Sequence, residues 1–188
     1  MQRFYAWLFA RLGWRIEGQL PELPHYVLVA APHSSNWDFV LGILARNALG
    51  APIRFLGKHQ LFRFPFGWFF RALGGYPVRR DQHNNLVDQV VAYFRQEPSF
   101  VLGLAPEGTR SPVSRWKLGF YHIAKSAGVP LVLVGFDYPN KRFVIGPPLQ
   151  PGPDMVADLQ VVEAFYRQVQ GKYPKVIPPL LGYDPHRH

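Results

Sequence analysis

Residues 33–38 read His33-Ser34-Ser35-Asn36-Trp37-Asp38, an imidazole and a carboxylate at the two ends of a six-residue stretch. A neutral imidazole accepts a proton from an alcohol near neutral pH. It does so better when a carboxylate fixes its tautomer and stabilises its charged form. A chain that turns after His33 and places Asp38 in the first turn of a helix brings the carboxylate back onto the ring. The same residues also fit a capping box, with Ser35 as the N-cap and Asp38 as the third helical residue. In that reading Asp38 serves only the helix end and His33 is a loop residue. The spacing leaves both readings open.

A second polar stretch, Pro106-Glu107-Gly108-Thr109-Arg110-Ser111, offers other chemistry. Gly108 permits close backbone approach, Thr109 carries a hydroxyl, and Arg110 carries a guanidinium suited to a phosphate. Glu107 has the reach to orient Arg110 or to bind a hydroxyl. An ordinary turn with a surface Arg–Glu pair has the same composition. Lys58, Arg79, Arg80 and Lys117 complete a basic set that, with Arg110, forms either a pocket for a phosphorylated ligand or solvated surface charge.

Other reaction types lack their motifs. There is no G-x-S-x-G elbow, no G-x-x-x-x-G-K-[ST] loop (Gly57-Lys58 is followed by His59), no G-x-G-x-x-G and no H-E-x-x-H. The chain has no cysteine, hence no thiol nucleophile and no disulfide, and its 7 histidines are scattered. No metal site is expected.

The polar stretches need elements to hold them. Residues 26–31, 53–57, 76–78, 99–105, 130–138 and 142–146 read as strands. Residues 37–49, 85–96, 115–128 and 154–173 read as helices, and 60–73 as an aromatic, partly helical segment broken near Pro65 and Gly67. Strands alternating with helices predict an α/β fold: a single-domain sandwich with a largely parallel central sheet flanked by helices. In such sheets sites collect where strands end and lead into helices. Both polar stretches follow apolar runs, YVLVAA and SFVLGLA.

The chain of 188 residues is 48% hydrophobic and 15% aromatic, enough for one domain with a real core. Lys plus Arg is 21 and Asp plus Glu is 12, so the formal charge is 21 − 12 = +9. Such a chain attracts polyanions: anionic membranes, phosphorylated substrates or nucleic acid. No run is long enough for a transmembrane helix, and MQRFYAWLFARLGWR lacks the pattern of a signal peptide. On a helical wheel Arg3, Arg11 and Arg15 fall within roughly 120°, together with Trp7 and Trp14. Residues 1–20 are expected to form an amphipathic segment lying on an anionic membrane surface, or else a helix packed on its own domain.

Four segments, in order, resemble the glycerophospholipid acyltransferase family, which includes lysophosphatidate and glycerol-3-phosphate acyltransferases. They are His33-Ser34-Ser35-Asn36-Trp37-Asp38 (an H-x4-D motif), KHQLFRFPFGWFFRALGGYPVRR at 58–80, PEGTRS at 106–111 and GVPLVLVGFD at 128–137. The resemblance implies a glycerol-3-phosphate acyltransferase-like domain over 21–175, with 176–188 as a tail. It implies transfer of a fatty acyl group from acyl-CoA or acyl carrier protein to a glycerol-phosphate or lysophospholipid hydroxyl, without metal or other cofactor. His33 would be the general base and Asp38 its partner. Arg80 and Arg110 would bind the acceptor's phosphate with help from Lys58, and Glu107, Gly108 and Thr109 would shape that site. The expected location is the cytoplasmic face of the membrane, peripherally bound, with no nucleic-acid partner. Ala105 and Arg79 depart from the family's usual Phe and Asp. A noncatalytic basic module binding anionic lipid or nucleic acid is the competing expectation.

Overall fold

The computed structural model describes residues 1–78, 86–109, 111, 113–178 and 180, with Lys58 and Leu61 described by their backbone alone. The apolar run after Pro24 forms β2 (His25–Ala30), whose residues are buried on both faces. Such two-sided burial requires helices above and below the sheet. The elements run α1 (Gln2–Arg11), β1 (Arg15–Glu17), β2, α2 (Trp37–Leu49), β3 (Ile53–Lys58), a 3₁₀ turn at His59–Phe62, α3 (Gly67–Ala72), β4 (Gly75–Val78), α4 (Leu86–Gln96), β5 (Phe100–Leu104), α5 (Gly119–Ala127), β6 (Leu131–Asp137), β7 (Arg142–Ile145) and α6 (Met155–Tyr166).

Among the described residues the strands form one seven-stranded sheet in the order β1-β7-β6-β2-β5-β3-β4. Neighbours from β6 through β4 are parallel, β7 runs antiparallel to β6, and β1 pairs parallel to β7. This is the predicted α/β class, with a reversed pair of strands at one edge.

Alternate residues of the strands feed two cores. Tyr26, Leu28, Val132 and Val134 pack with Phe9, Trp14, Leu41 and Ala45, so α1 and α2 cover one face. Val27, Val29, Leu102 and Leu131 pack with Val90, Phe94, Tyr121, Ile123 and Val162, so α4, α5 and α6 cover the other. The chain leaves β2 toward one face and β5 toward the opposite one. Val29 pairs with Leu104 and Ala30 with Val134, so β2, β5 and β6 end side by side. Their following loops open together at a topological switch point, where such sheets bind ligands.

Three elements differ from the sequence reading. The first helix ends at Arg11, and Gly13 turns the chain at φ +79°. Arg15 therefore lies in β1, and Trp14 is buried edge-on against Phe136 and Tyr138. Neither belongs to the helical arc of arginines; Phe4 and Trp7 remain exposed on α1. Helix α5 begins at Gly119, later than Arg115, because the Lys117 N–H donates to the Pro106 carbonyl at 2.9 Å. Helix α6 stops at Tyr166, so that Val169 packs against Gly135 and the chain turns back over the strand ends. Helix α5 does end at Gly128 as expected, at φ +69°, a left-handed cap that glycine adopts without a Cβ clash.

Candidate active site

The loop after β2 turns directly into α2, and the turn is built on Asp38. Its Oδ2 accepts the backbone N–H groups of Ser34 and Ser35, each at 2.7 Å. The Ser35 hydroxyl in turn accepts the Trp37 N–H at 3.2 Å. The helix itself begins at Trp37 with Asn36 as its N-cap and no side-chain cap bond, so the expected capping box with Ser35 as N-cap and Asp38 as third helical residue is not formed; the Asp38 N–H goes to the Ser35 carbonyl instead. The same Oδ2 lies 3.2 Å from His33 Nδ1. One carboxylate oxygen thus ties the turn before α2 and contacts the imidazole. The other, Oδ1, accepts the Tyr138 hydroxyl at 2.6 Å.

Asp38 is 4% exposed and His33 27%. Burial pushes the Asp38 carboxyl up, but the donors from His33, Tyr138, Ser35 and Ser34 outweigh it and hold the group below its ordinary value. An ionised Asp38 requires Nδ1 to carry the proton, which leaves Nε2 as an acceptor. Among the described residues Nε2 has no hydrogen-bond partner. Tyr138 is buried beside this negative charge, and both effects raise its hydroxyl far above its ordinary pKa, keeping it a donor.

The loop after β5 supplies Glu107, Gly108 and Thr109. Gly108 has φ +66°, the left-handed region that the turn requires. Glu107 is buried, and its Oε2 accepts the His33 N–H at 3.1 Å. Burial raises its pKa, an effect that Lys175 at 3.0 Å and His33 partly offset. Its carboxylate therefore supports the His33 loop from beneath. Arg80 and Arg110, as well as Arg79, lie outside the described residues, and Lys58 closes β3 at the same edge of the sheet.

Two cavities meet at His33. The larger, about 690 Å³, is bordered by His33, Thr109, Gly108, Lys117 and Phe120. The smaller, about 260 Å³, runs between the sheet and α2 past Phe39, Gly42, Ile43, Phe55 and Phe136. Both are lined mainly by apolar side chains; the larger adds the Lys117 ammonium and the Thr109 hydroxyl, the smaller adds Arg46 and Arg54. A base at the junction of two largely apolar cavities, one of which also carries an ammonium and a hydroxyl, suits proton removal from a polar headgroup among apolar-tailed molecules. No group of three or more metal-ligating side chains occurs among the described residues.

Tyr138 and Lys175 are site residues that the sequence reading did not name. Tyr138 follows β6 immediately, so the strand-end rule that singled out the other two loops applies to it as well. Lys175 lies in the irregular segment after α6 and carries no comparable signal.

The acyltransferase family model matches residues 15–137. In fold the chain is similar to the crystal structure of the 1-acyl-sn-glycerophosphate (LPA) acyltransferase PlsC from Thermotoga maritima. The TM-score is 0.61 with 22% sequence identity, covering 89% of this chain and 76% of that one. No curated protein sequence matches the chain.

Proposed function

The chain belongs to the acyltransferase family, and we propose that it moves a fatty acyl group from a thioester donor, acyl-CoA or acyl carrier protein, to the hydroxyl of a glycerol-phosphate or lysophospholipid acceptor. The observation that carries this reading is the 3.2 Å contact between His33 Nδ1 and Asp38 Oδ2 at the junction of the two cavities. His33 Nε2 takes the acceptor hydroxyl's proton as its oxygen attacks the thioester carbonyl. The tetrahedral intermediate collapses with cleavage of the carbon–sulfur bond, and the departing thiolate takes the proton from the imidazolium. Asp38 stabilises that imidazolium throughout. The sequence holds no cysteine or serine elbow, and this route needs no protein nucleophile.

The larger cavity suits the acceptor's headgroup on the side where Lys117 and Thr109 line it, and the family resemblance gives Lys58, Arg80 and Arg110 to the acceptor's phosphate. The smaller cavity suits the acyl chain of the donor. No helix among the described residues is long and apolar enough to cross a membrane. Exposed apolar rings suit binding from one side of a bilayer: Phe4 and Trp7 on α1, Phe39 on α2, and Phe64 and Trp68 around α3. Arginines 3, 11 and 63 in the same segments would meet anionic headgroups.

The test is thiol release from palmitoyl-CoA, followed with and without a lysophosphatidate acceptor. Acceptor-dependent release is expected, and His33→Ala lowers it by about 10²–10⁴-fold while thermal stability stays near wild type. Full activity in the folded variant removes His33 from the mechanism.

A further inference from the structure

Lys175 lies beyond the segment matched by the family model and beyond the last helix. Its neighbours, Lys172-Tyr173-Pro174 before it and Val176 after it, give no sign of a role. Its side chain is nevertheless only 7% exposed. Lysine is seldom buried unless its charge is paired and its donors are used. Here three oxygens surround the ammonium: the His33 carbonyl at 2.7 Å, Glu107 Oε2 at 3.0 Å and the Ser111 carbonyl at 3.4 Å.

The Glu107 oxygen that meets Lys175 also accepts the His33 N–H. Both main-chain polar groups of His33 are thus held by one buried ion pair, the N–H by the carboxylate and the C=O by the ammonium. Neither contact involves the imidazole. Together they orient the peptide planes on both sides of His33, and so the bond from which the ring projects. Asp38 then fixes the ring's rotation through Nδ1.

The chain around Lys175 is fitted to deliver it. A Cβ at Gly171 would lie 2.6 Å from the Ser34 hydroxyl, so that position has no room for a side chain. The Tyr173 N–H donates to the same hydroxyl at 3.4 Å. Further along, the Leu180 N–H donates to Glu163 of α6 at 3.2 Å, pinning the far end. Residues 171–178 and 180 therefore strap the His33 loop to the body of the domain.

We propose that Lys175 is a positioning residue for the general base: its ion pair with Glu107 sets the backbone of His33, and the strap it belongs to is part of the active site. The catalytic half of this statement rests on the function proposed above. Without the ammonium, Glu107 loses the contact that most offsets its burial, and the carboxyl that receives the His33 N–H is no longer held in place.

The experiment compares wild type, Lys175→Met and the charge-free pair Lys175→Met/Glu107→Gln. It measures kcat and KM with palmitoyl-CoA and lysophosphatidate, melting temperature, and amide hydrogen exchange. Lys175→Met should lower kcat at least tenfold while KM for palmitoyl-CoA stays within threefold. Protection of the His33 amide should fall at least tenfold, with β2 amides unchanged. The double variant should regain the wild-type melting temperature but not kcat, and it decides the matter if the single variant does not fold. A kcat within twofold of wild type in either folded variant overturns the proposal. So does a loss of protection spread evenly over β2 and β5, the mark of a purely structural pair. If wild type transfers no acyl group, the proposed function fails, whereas the exchange data still decide whether Lys175 holds the His33 backbone.

Discussion

Replacing Asp38 by asparagine removes one charge and almost nothing else. Oδ2 faces three donors, the N–H groups of Ser34 and Ser35 and His33 Nδ1, so the amide oxygen must take that position. The amide NH₂ then meets the Tyr138 hydroxyl, which can rotate to accept. The turn, the helix start and the imidazole tautomer all survive. What disappears is the attraction between carboxylate and imidazolium. At about 4 Å and an effective dielectric of about 20 that attraction is about 4 kcal/mol. Solvent reaches the ring, which is 27% exposed, and screening to about half leaves about 2 kcal/mol. If the imidazolium is fully formed in the transition state, kcat falls about 30-fold. Stability carries a second signature. The Asp38 pKa is lowered in the fold, so its contribution is present above the ordinary carboxylate value of about 4 and lost as pH falls through the lower folded value. The variant should therefore unfold less steeply with acid below about pH 4. Glu107, with a raised pKa, works in the opposite direction and is common to both proteins. The assays are thiol release and thermal melts from pH 2 to 7. A kcat within threefold of wild type refutes the dyad.

Tyr138→Phe provides the opposite perturbation. It removes a donor from Oδ1, concentrates negative charge on the carboxylate and favours the imidazolium. Because the carboxylate is retained, kcat should fall less than in Asp38→Asn, and an equal or larger loss would contradict the assignment. Gly42→Leu extends a side chain into the smaller cavity, where a Cβ would have nothing within 4 Å. Donor preference should shift to shorter acyl chains, measured by competition among acyl-CoAs, with stability unchanged or raised by up to about 1 kcal/mol because a helical glycine is replaced; unchanged chain-length selectivity would take the acyl chain out of this cavity. Phe64→Ser with Trp68→Ser removes rings that are 98% and 73% exposed. Co-sedimentation with anionic vesicles should drop at least tenfold at unchanged melting temperature, and undiminished binding would move the membrane contact elsewhere.

Most of the fold was readable because it is written in runs. The buried strands β2, β5 and β6 are continuous apolar stretches, and α2 begins and ends where its sequence pattern does. The misread ends share a cause: a long-range partner took the backbone or side chain away from the local pattern. The Lys117 N–H bonds to Pro106 instead of extending α5 backward. Val169 fills the space at Gly135, and Gly171 abuts Ser34, so the helical periodicity read through 173 stops at Tyr166. Strand β1 has three residues, too few for alternation to register, and is fixed by Arg142, which spans from Asp137 to Glu17.

The site divides along the same line. His33 and Asp38 are legible as a pair because one turn contains both, and a turn has a fixed number of residues. Glu107 has a partner that locality does not reveal. Its nearest cation in sequence is Arg110, which lies outside the described residues. The carboxylate meets Lys175, 68 positions away, beneath the loop of His33. Tyr138 reaches Asp38 across 100 positions. Residues that act through a shared turn must keep their spacing. Residues that hold such a turn in place can come from any part of the chain that the sheet brings to its edge, and no spacing constrains them. The support of this site therefore extends past residue 137, where the family match ends. Transplanting the segment 15–137 onto a foreign C-terminal half should keep the dyad's residues and lose its geometry, because the tyrosine hydroxyl and the buried ammonium both lie outside that segment.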